Sequence, residues 1–332
     1  MSSNVGALTI DVKEVSAAPA RTRGAGEHRA VRHALRGRVV AIVNPVSGRR
    51  GRRGILREVR QWLEREGVEF RVWITSAAGH ATTLARRAAD EAEAVLIVGG
   101  DGTVSEVVNG LGGRDVPILI LGAGTENLLA RALEMPRRAD EIAAALMFGE
   151  AEACDVGRIN GRCFLSVAGI GFDAQCVQRM QRSRRGNITH AAYFWPIWRT
   201  FWTHRFPWLR VEVDGRPAFE GRGLAFVGGI SRYAVGLNLF PKARSDDGRL
   251  DVCVLPCRTK RRLLGHAALT LGRRHTRQTD VVYEQCERAR VSSNEAVAVQ
   301  IDGDFGGVLP VECNIERGAL KVLRCAKVTG NR

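Results

Sequence analysis

The chain has 332 residues, 45% of them hydrophobic and 26% charged, which at ~150 residues per domain is globular material for two domains. Whole-chain disorder is excluded, and so is a helical membrane span, because no stretch nears the ~20 apolar residues a bilayer requires. The net charge of +15 is carried almost wholly by arginine, with lysine only at Lys13, Lys242, Lys260, Lys321 and Lys327, and it favours an anionic partner.

Residues 1–37 show little hydrophobic periodicity and many Ala, Gly, Ser and Arg residues, which reads as a flexible basic tail. RVVAIV (38–43) is a short apolar strand ending in NPVSGRRG, and ILREVRQWLE carries a helical stripe of Ile55, Val59, Trp62 and Leu63. VEFRVWI (68–74) alternates as a strand, GHATTLARRAADEA reads as helix, and AVLIV (94–98) is a buried strand before GGDGT. The helical VSEVVNGL, the strand VPILIL (116–121), a further glycine loop and the helical ENLLARAL follow. Strands alternating with helices predict parallel βαβ units and a doubly wound sheet over 38–150.

The texture changes beyond residue 150. EACDVGRI, RCFLSVAG, LRVEVDG, GLAFVGG, RLDVCVL, AVAVQID and LPVECNI are short strand-like segments punctuated by DG and NG turn signals. They predict a β-rich, sandwich-like domain over 151–326, with a short tail at 327–332. The eight cysteines are scattered without a C-x-x-C pair, and no basic segment with an apolar run marks a secretory signal, so reduced thiols in the cytoplasm are expected.

Three glycine loops each follow a predicted strand: Asn44-Pro45-Val46-Ser47-Gly48, Gly99-Gly100-Asp101-Gly102-Thr103, and Gly122-Ala123-Gly124-Thr125-Glu126-Asn127. Backbone N–H groups and helix N-termini at strand ends hold phosphate, and glycine allows close approach. Asp101 is the acid of its loop, and a carboxylate beside phosphates calls for a cation, Mg²⁺ by choice. The P-loop pattern is absent. Taken singly, NPVSG is more often a plain turn; in order and each after a strand, the three are far more specific.

The order of these motifs resembles the diacylglycerol kinase catalytic family, which includes bacterial lipid kinases, sphingosine kinases and ceramide kinases, over residues 38 to 325. NPVSG is similar to the family's NPxSG, GGDGTVSEVVNGL to its GGDGT with the following helix, and LGAGTENLLARAL to its LPLGTxNDxAR. GIGFDA (169–174), PKARSDDGRLD (241–251) and Ile301-Asp302-Gly303-Asp304 resemble its GxGFDA, P-x-A…DGxLD and DGE segments. The resemblance implies an ATP- and Mg²⁺-dependent lipid kinase with an active site in the cleft between its two domains. It implies that Asn44, Pro45, Ser47, Gly48, Thr75, Gly99, Gly100, Gly102, Thr103, Val104, Ser105, Glu106, Gly124, Thr125 and Asn127 bind ATP. It further implies a second, structural Mg²⁺ held by Asp247 and the carbonyls of Arg244 and Arg249. Gly122, Leu128 and Asp304 depart from the family's usual Pro, Asp and Glu.

AVAVQIDGD alternates as a strand, which places Asp302 and Asp304 side by side on one face. The competing reading is an Asp-Gly hairpin turn. With the resemblance, Asp304 is expected to accept the proton of the lipid hydroxyl, Asp302 to support it or replace it, and Asp101 to hold metal.

Between Ala174 and Val211 there is no acid but seven arginines, and residues 193–208 hold eight of the chain's twenty aromatics. A second acid-free stretch runs from Val252 to Thr279 with seven basic residues. Arginine beside Trp and Tyr suits an anionic membrane surface, single-stranded nucleic acid or, for the rings alone, a buried core. The reading is a peripherally membrane-associated, cytoplasmic lipid kinase acting on diacylglycerol, a sphingoid base or another lipid alcohol, with no dedicated nucleic-acid partner and with a homodimer left open. An NAD kinase-like enzyme, or a catalytically impaired lipid- or nucleic-acid-binding relative, are the alternatives.

Overall fold

The structure, a computed structural model, describes residues 31–32, 37–47, 52–182, 190–229, 233–234 and 237–324. Its first half runs β1 (Val31–Arg32), β2 (Arg38–Val43), α1 (Arg52–Arg65), β3 (Glu69–Ile74), α2 (His80–Glu91), β4 (Ala94–Gly99), α3 (Asp101–Leu111), β5 (Ile118–Gly122), α4 (Leu128–Ala132) and α5 (Ala139–Phe148). Strands β5, β4, β2 and β3 lie side by side and parallel, in that order. Every residue of β4 is buried, as expected of a strand covered on both faces. From β2 the chain steps outward to β3 and then back past β2 to β4. Right-handed crossovers therefore put the connecting helices on opposite faces, and α1 packs with α5 while α2 packs with α3. The order reverses between the neighbours β2 and β4, and the crevice beyond their carboxyl ends is where open α/β sheets take ligands.

The second half comprises β6 (Glu150–Ile159), β7 (Arg162–Phe164), β8 (Val167–Ile170), α6 (Phe172–Arg182), α7 (His190–Thr203), β9 (Trp208–Val213), β10 (Arg216–Gly228), β11 (Tyr233–Ala234), β12 (Leu237–Asn238) and β13 (Leu250–Pro256). It continues with α8 (Lys260–Leu271), β14 (Val282–Cys286), β15 (Arg288–Ser292), β16 (Ala298–Ile301), β17 (Asp304–Val308) and β18 (Val311–Arg324). The first part of β10 pairs with β9 and its last part with β8 and β13, so one strand serves two sheet sectors. Their inner faces enclose a core of residues such as Phe164, Ile170, Val211, Val227, Val252 and Val299. This is the β-rich domain the strand-like segments predict. The long antiparallel pair β6 and β18 joins the halves, since Val322 of β18 also lies parallel to Ile118 of β5.

Several expectations are corrected. The β-rich half also contains α6, α7 and α8, none of which the strand-like texture announces. Val31 and Arg32, within the expected tail, pair with Ala151 and Glu150, because the edge of β6 offers unpaired backbone groups. The rest of residues 1–36, and the tail at 327–332, lie outside the described residues. The aromatic segment divides: Phe206 is buried, whereas Trp195, Trp198, Trp202 and Trp208 are exposed.

Candidate active site

The turn after β2 is an Asx turn. Val46 N–H donates to Asn44 Oδ1 at 3.1 Å and Ser47 N–H to the Asn44 carbonyl at 3.2 Å, while Asn44 N–H donates to the carbonyl of Val98 on β4. Asn44 Nδ2 reaches Thr103 Oγ1 at 3.0 Å. Thr75, just past β3, donates its N–H to the Val43 carbonyl, so it sits at the same end of the sheet. Of the expected nucleotide residues in this turn, Gly48 lies outside the described residues.

GGDGT is less of a loop than its composition suggests. Gly99 ends β4, Gly100 is the N-cap, and α3 begins at Asp101, with Gly102 exposed in its first turn. A Cβ on Gly100 would meet the Gly124 Cα at 3.1 Å, and one on Gly124 would meet the Gly100 Cα at 2.7 Å. The two glycine segments thus touch backbone to backbone, which no larger residue permits. Ala123 N–H also donates to the Gly99 carbonyl at 2.7 Å. Asn127, at φ 50°, closes its loop by taking a hydrogen bond from Gly124 N–H at 2.7 Å and returning one to its carbonyl. Thr125 is exposed beside it.

Not every expected nucleotide residue faces this crevice. Val104 and Ser105 are buried, at 2% and 3% exposure. The Glu106 carboxylate accepts Gly79 N–H at 2.9 Å and Ala81 N–H at 3.1 Å, so it caps the N-terminus of α2.

Asp101 links the loops electrostatically. Its Oδ1 accepts Leu129 N–H at 3.3 Å at the start of α4. Burial raises its carboxyl above the usual range, the N–H groups of Leu128, Leu129 and Asn127 pull it down, and Glu126 adds repulsion. Leu128 thus contributes a backbone donor where the family carries a carboxylate.

The expectation that Asp302 and Asp304 share a strand face is overturned. β16 stops at Ile301, and Asp302 and Gly303 have φ of 50° and 87°, a tight turn before β17. Asp302 is an anchor: its Oδ2 accepts Leu165 N–H at 2.9 Å, and its Oδ1 accepts Ser166 N–H at 2.7 Å and Val167 N–H at 3.1 Å. Burial pushes its carboxyl up to about 6 against those donors, and repulsion from Asp101 adds to the rise. Asp304 is different. Its side chain is 40% exposed, Gln181 Nε2 of α6 donates to its Oδ1 at 3.1 Å, and Arg162 of β7 lies 3.9 Å from its Oδ2.

The sequence reading missed several residues. Asn109 of α3 donates to the Cys163 carbonyl at 3.2 Å and accepts Cys163 N–H at 3.0 Å, pinning the first half to β7. Asp155 of β6, 2% exposed, accepts Gly248 N–H at 2.6 Å and Gly318 N–H at 2.9 Å, holding the DGRLD turn. Asp155 also repels Asp247, whose carboxyl is raised chiefly by burial. A lone Asn in a helix or a lone Asp in a strand carries no local signal of partners so distant in sequence. Asp173 was not missed: its GIGFDA segment reads equally as a helix N-cap or a functional acid. It lies in the first turn of α6, where it receives Gln300 Nε2 at 3.1 Å and burial pushes it up to about 6.

Among the described residues no three His, Cys, Asp or Glu side chains gather as a metal centre. Asp101 is repelled by Glu126 and itself repels Asp302, and the Asp101 and Asp302 carboxylates are met by backbone N–H groups, with no cationic side chain against them among the described residues. That suits Mg²⁺, which takes one or two carboxylates and completes its shell with substrate phosphates and water.

Residues 38–159 match the family model described as diacylglycerol kinase catalytic domain, and residues 166–324 match one described as YegS C-terminal NAD kinase beta sandwich-like domain. The chain is 31% identical over 277 residues to a diacylglycerol kinase of Bacillus subtilis (strain 168), covering 82% of this chain and 91% of the relative. It is 31% identical over 282 residues to a diacylglycerol kinase of Staphylococcus carnosus (strain TM300), covering 83% and 91%. A crystal structure of a diacylglycerol kinase from Bacillus anthracis str. Sterne has a similar fold, with a TM-score of 0.63 at 21% identity over 86% of this chain and 96% of the other.

Proposed function

The chain belongs to the diacylglycerol kinase family and is a lipid kinase, and from that premise we propose that it transfers the γ-phosphate of ATP to the hydroxyl of a lipid alcohol, diacylglycerol or a sphingoid base, with Mg²⁺. The observation that carries this reading is the convergence of three segments at the N-terminus of α3: the Asn44 turn, the Gly100 cap and the Gly124 loop. A helix N-terminus with an exposed glycine in its first turn offers free N–H groups to phosphate oxygens.

In this reading ATP lies along the crevice, with Asn44, Pro45, Ser47 and Thr75 on one side and Gly124, Thr125 and Asn127 on the other. Phosphoryl transfer asks mainly for positioning and charge neutralisation. The Asp101 carboxylate would hold Mg²⁺, which when bound offsets the charge on the phosphates. Asp304 accepts the proton of the lipid hydroxyl; its partly exposed carboxylate is steadied by Gln181, with Arg162 3.9 Å away. Asp302 keeps the turn in place through its three N–H bonds and does not itself take the proton. Asp247 with the carbonyls of Arg244 and Arg249 would bind a second, structural Mg²⁺.

The lipid is taken from an anionic membrane surface. Support comes from α7, where Trp195, Trp198 and Trp202 recur at helical spacing on one face and are 66%, 46% and 55% exposed. Among the described residues no helix is long and apolar enough to cross a membrane. Turnover of ATP against a panel of lipid alcohols and NAD, with products identified by mass, tests the reading. A phosphorylated lipid supports it; phosphorylated NAD alone overturns it.

A further inference from the structure

A cavity of about 450 Å³ opens between the turn that follows α7, the middle of β10 and the N-terminus of α8. Four cations line it: Arg205, Arg222, Arg258 and Lys260. It contains no carboxylate among its lining residues. Arg222 is fixed by donating Nη1 to the Phe206 carbonyl at 2.6 Å. Arg205 and Arg258 are exposed and have no carboxylate within ion-pair distance among the described residues. The acids of the adjoining hollow, Glu220 and Asp280, are already paired with Arg210 and Arg262. His204 completes the wall; burial holds it down to about 4, so it adds no charge, and its Nε2 has no partner among the described residues. Arg222 and Arg258 also border the adjoining hollow, but neither is within ion-pair distance of its acids. Cations gathered with no carboxylate of their own repel one another, a cost that an anion relieves.

The cavity adjoins the tryptophan face. Lys260 donates Nζ to the Trp202 carbonyl at 2.7 Å and sits over the Trp202 ring at 4.7 Å from its centroid. Leu264, one turn along α8, is 57% exposed on the same segment. An anion site at the foot of exposed indoles matches a ligand whose charge and apolar body arrive together. A free phosphate would have no use for the indoles, and a membrane surface uses both.

We propose that this pocket binds the phosphate of an anionic phospholipid headgroup while Trp195, Trp198 and Trp202 enter the same membrane, a role separate from the substrate site and resting on the membrane reading above. The headgroup supplies phosphate oxygens for the guanidinium groups of Arg205 and Arg258. The indoles take the depth at which rings and headgroups meet. The pair of contacts fixes the orientation of the second half on the surface.

The test is sedimentation of the full chain with phosphatidylcholine vesicles containing or lacking phosphatidylglycerol, alongside phosphorylation of a water-soluble short-chain diacylglycerol. The variants are Arg205→Gln with Arg258→Gln in the pocket and, as a charge-matched control in the first half, Arg57→Gln with Arg86→Gln, all checked by thermal melting. Two cations near an anionic surface at about 1 kcal/mol each predict a loss of about 10- to 30-fold in affinity for the anionic vesicles. The control should lose less than about 2-fold, and short-chain turnover should be unchanged in both. Equal vesicle binding by the pocket variant and the control overturns the proposal. So does displacement of the vesicles by millimolar inorganic phosphate, which assigns the pocket to free phosphate. Tighter binding of a single-stranded oligonucleotide, lost in the same pocket variant, assigns it to nucleic acid and also overturns it. If the wild type binds anionic vesicles through these arginines but phosphorylates no lipid, the pocket stands and the kinase reading falls.

Discussion

Asn44 Nδ2 donates to Thr103 Oγ1 at 3.0 Å across 59 positions of sequence, fastening the turn after β2 to the first turn of α3. That bond ties the β2 turn to the helix at the point where the parallel sheet reverses its order. Such a bond contributes about 1 kcal/mol, so Asn44→Ala should raise KM for ATP by about 5-fold with little change in kcat. Steady-state kinetics with varied ATP decides it; an unchanged KM would detach Asn44 from the nucleotide.

Two glycines of the same crevice should fail in different ways. A Cβ on Gly124 would meet the Gly100 Cα at 2.7 Å, so Gly124→Ala should lower stability by about 1–3 kcal/mol. Nothing lies within 4 Å of a Cβ on Gly102, so Gly102→Ala should melt as the wild type does. That added methyl stands where phosphate is to lie, so ATP affinity should still drop. Calorimetric titration with ATP, beside thermal melts of both variants, checks the pair. A Gly102→Ala protein with full affinity would move the phosphates off α3.

The two aspartates of the β16–β17 turn should also separate. Asp304→Asn should cut kcat by about 10²-fold or more without loss of stability, since the side chain is 40% exposed. Asp304→Glu should keep activity, because it restores the family's residue. Asp302→Asn turns an amide donor toward an N–H donor such as that of Leu165 and should cost about 1–3 kcal/mol of stability. Kinase assays and melts on the three variants give the answer, and an Asp304→Asn enzyme with normal kcat would remove it as the base.

The parallel strands were legible because strands buried on both faces are continuous apolar runs, as AVLIV is. The start of α3 was not, since glycine on both sides of Asp101 weighs against helix, and here packing of buried residues such as Thr103, Val104 and Val107 overrides it. α7 was hidden by Pro196 inside it and by its wealth of aromatics, which favour strand by propensity. Asp302 was misplaced because alternation in AVAVQID extends the strand one residue too far. Its positive φ, supported by three N–H donors from the β7–β8 connection, depends on a partner 135 to 137 positions away. Asp155 and Asn109 were invisible for the same reason: their partners are distant in sequence.

A pH dependence follows from the Asp302 carboxyl, which burial pushes up to about 6. A carboxyl raised on folding gives its full stabilisation below the unfolded value of about 4 and loses it as pH rises through about 6. Asn at this position does not titrate. The stability gap between wild type and Asp302→Asn should therefore be larger at pH 4.5 than at pH 7. Urea melts at the two pH values measure it, and a gap that widens with pH would mean that the three N–H donors outweigh burial.

The most direct measurement follows label from γ-labelled ATP into lipid, for the wild type and Asp101→Asn side by side. The variant keeps an oxygen for Leu129 N–H but turns its amide nitrogen toward the N–H groups of Leu128 and Asn127, so it should lose about 1–3 kcal/mol of stability. Labelling is therefore compared at a temperature where melts show both proteins folded. Labelled lipid phosphate is expected from the wild type and about 10²-fold less or lower from the variant, the loss that follows when the carboxylate that would hold the charge-neutralising cation is removed. Equal labelling by both proteins, or label that appears in NAD and never in lipid, would contradict that expectation.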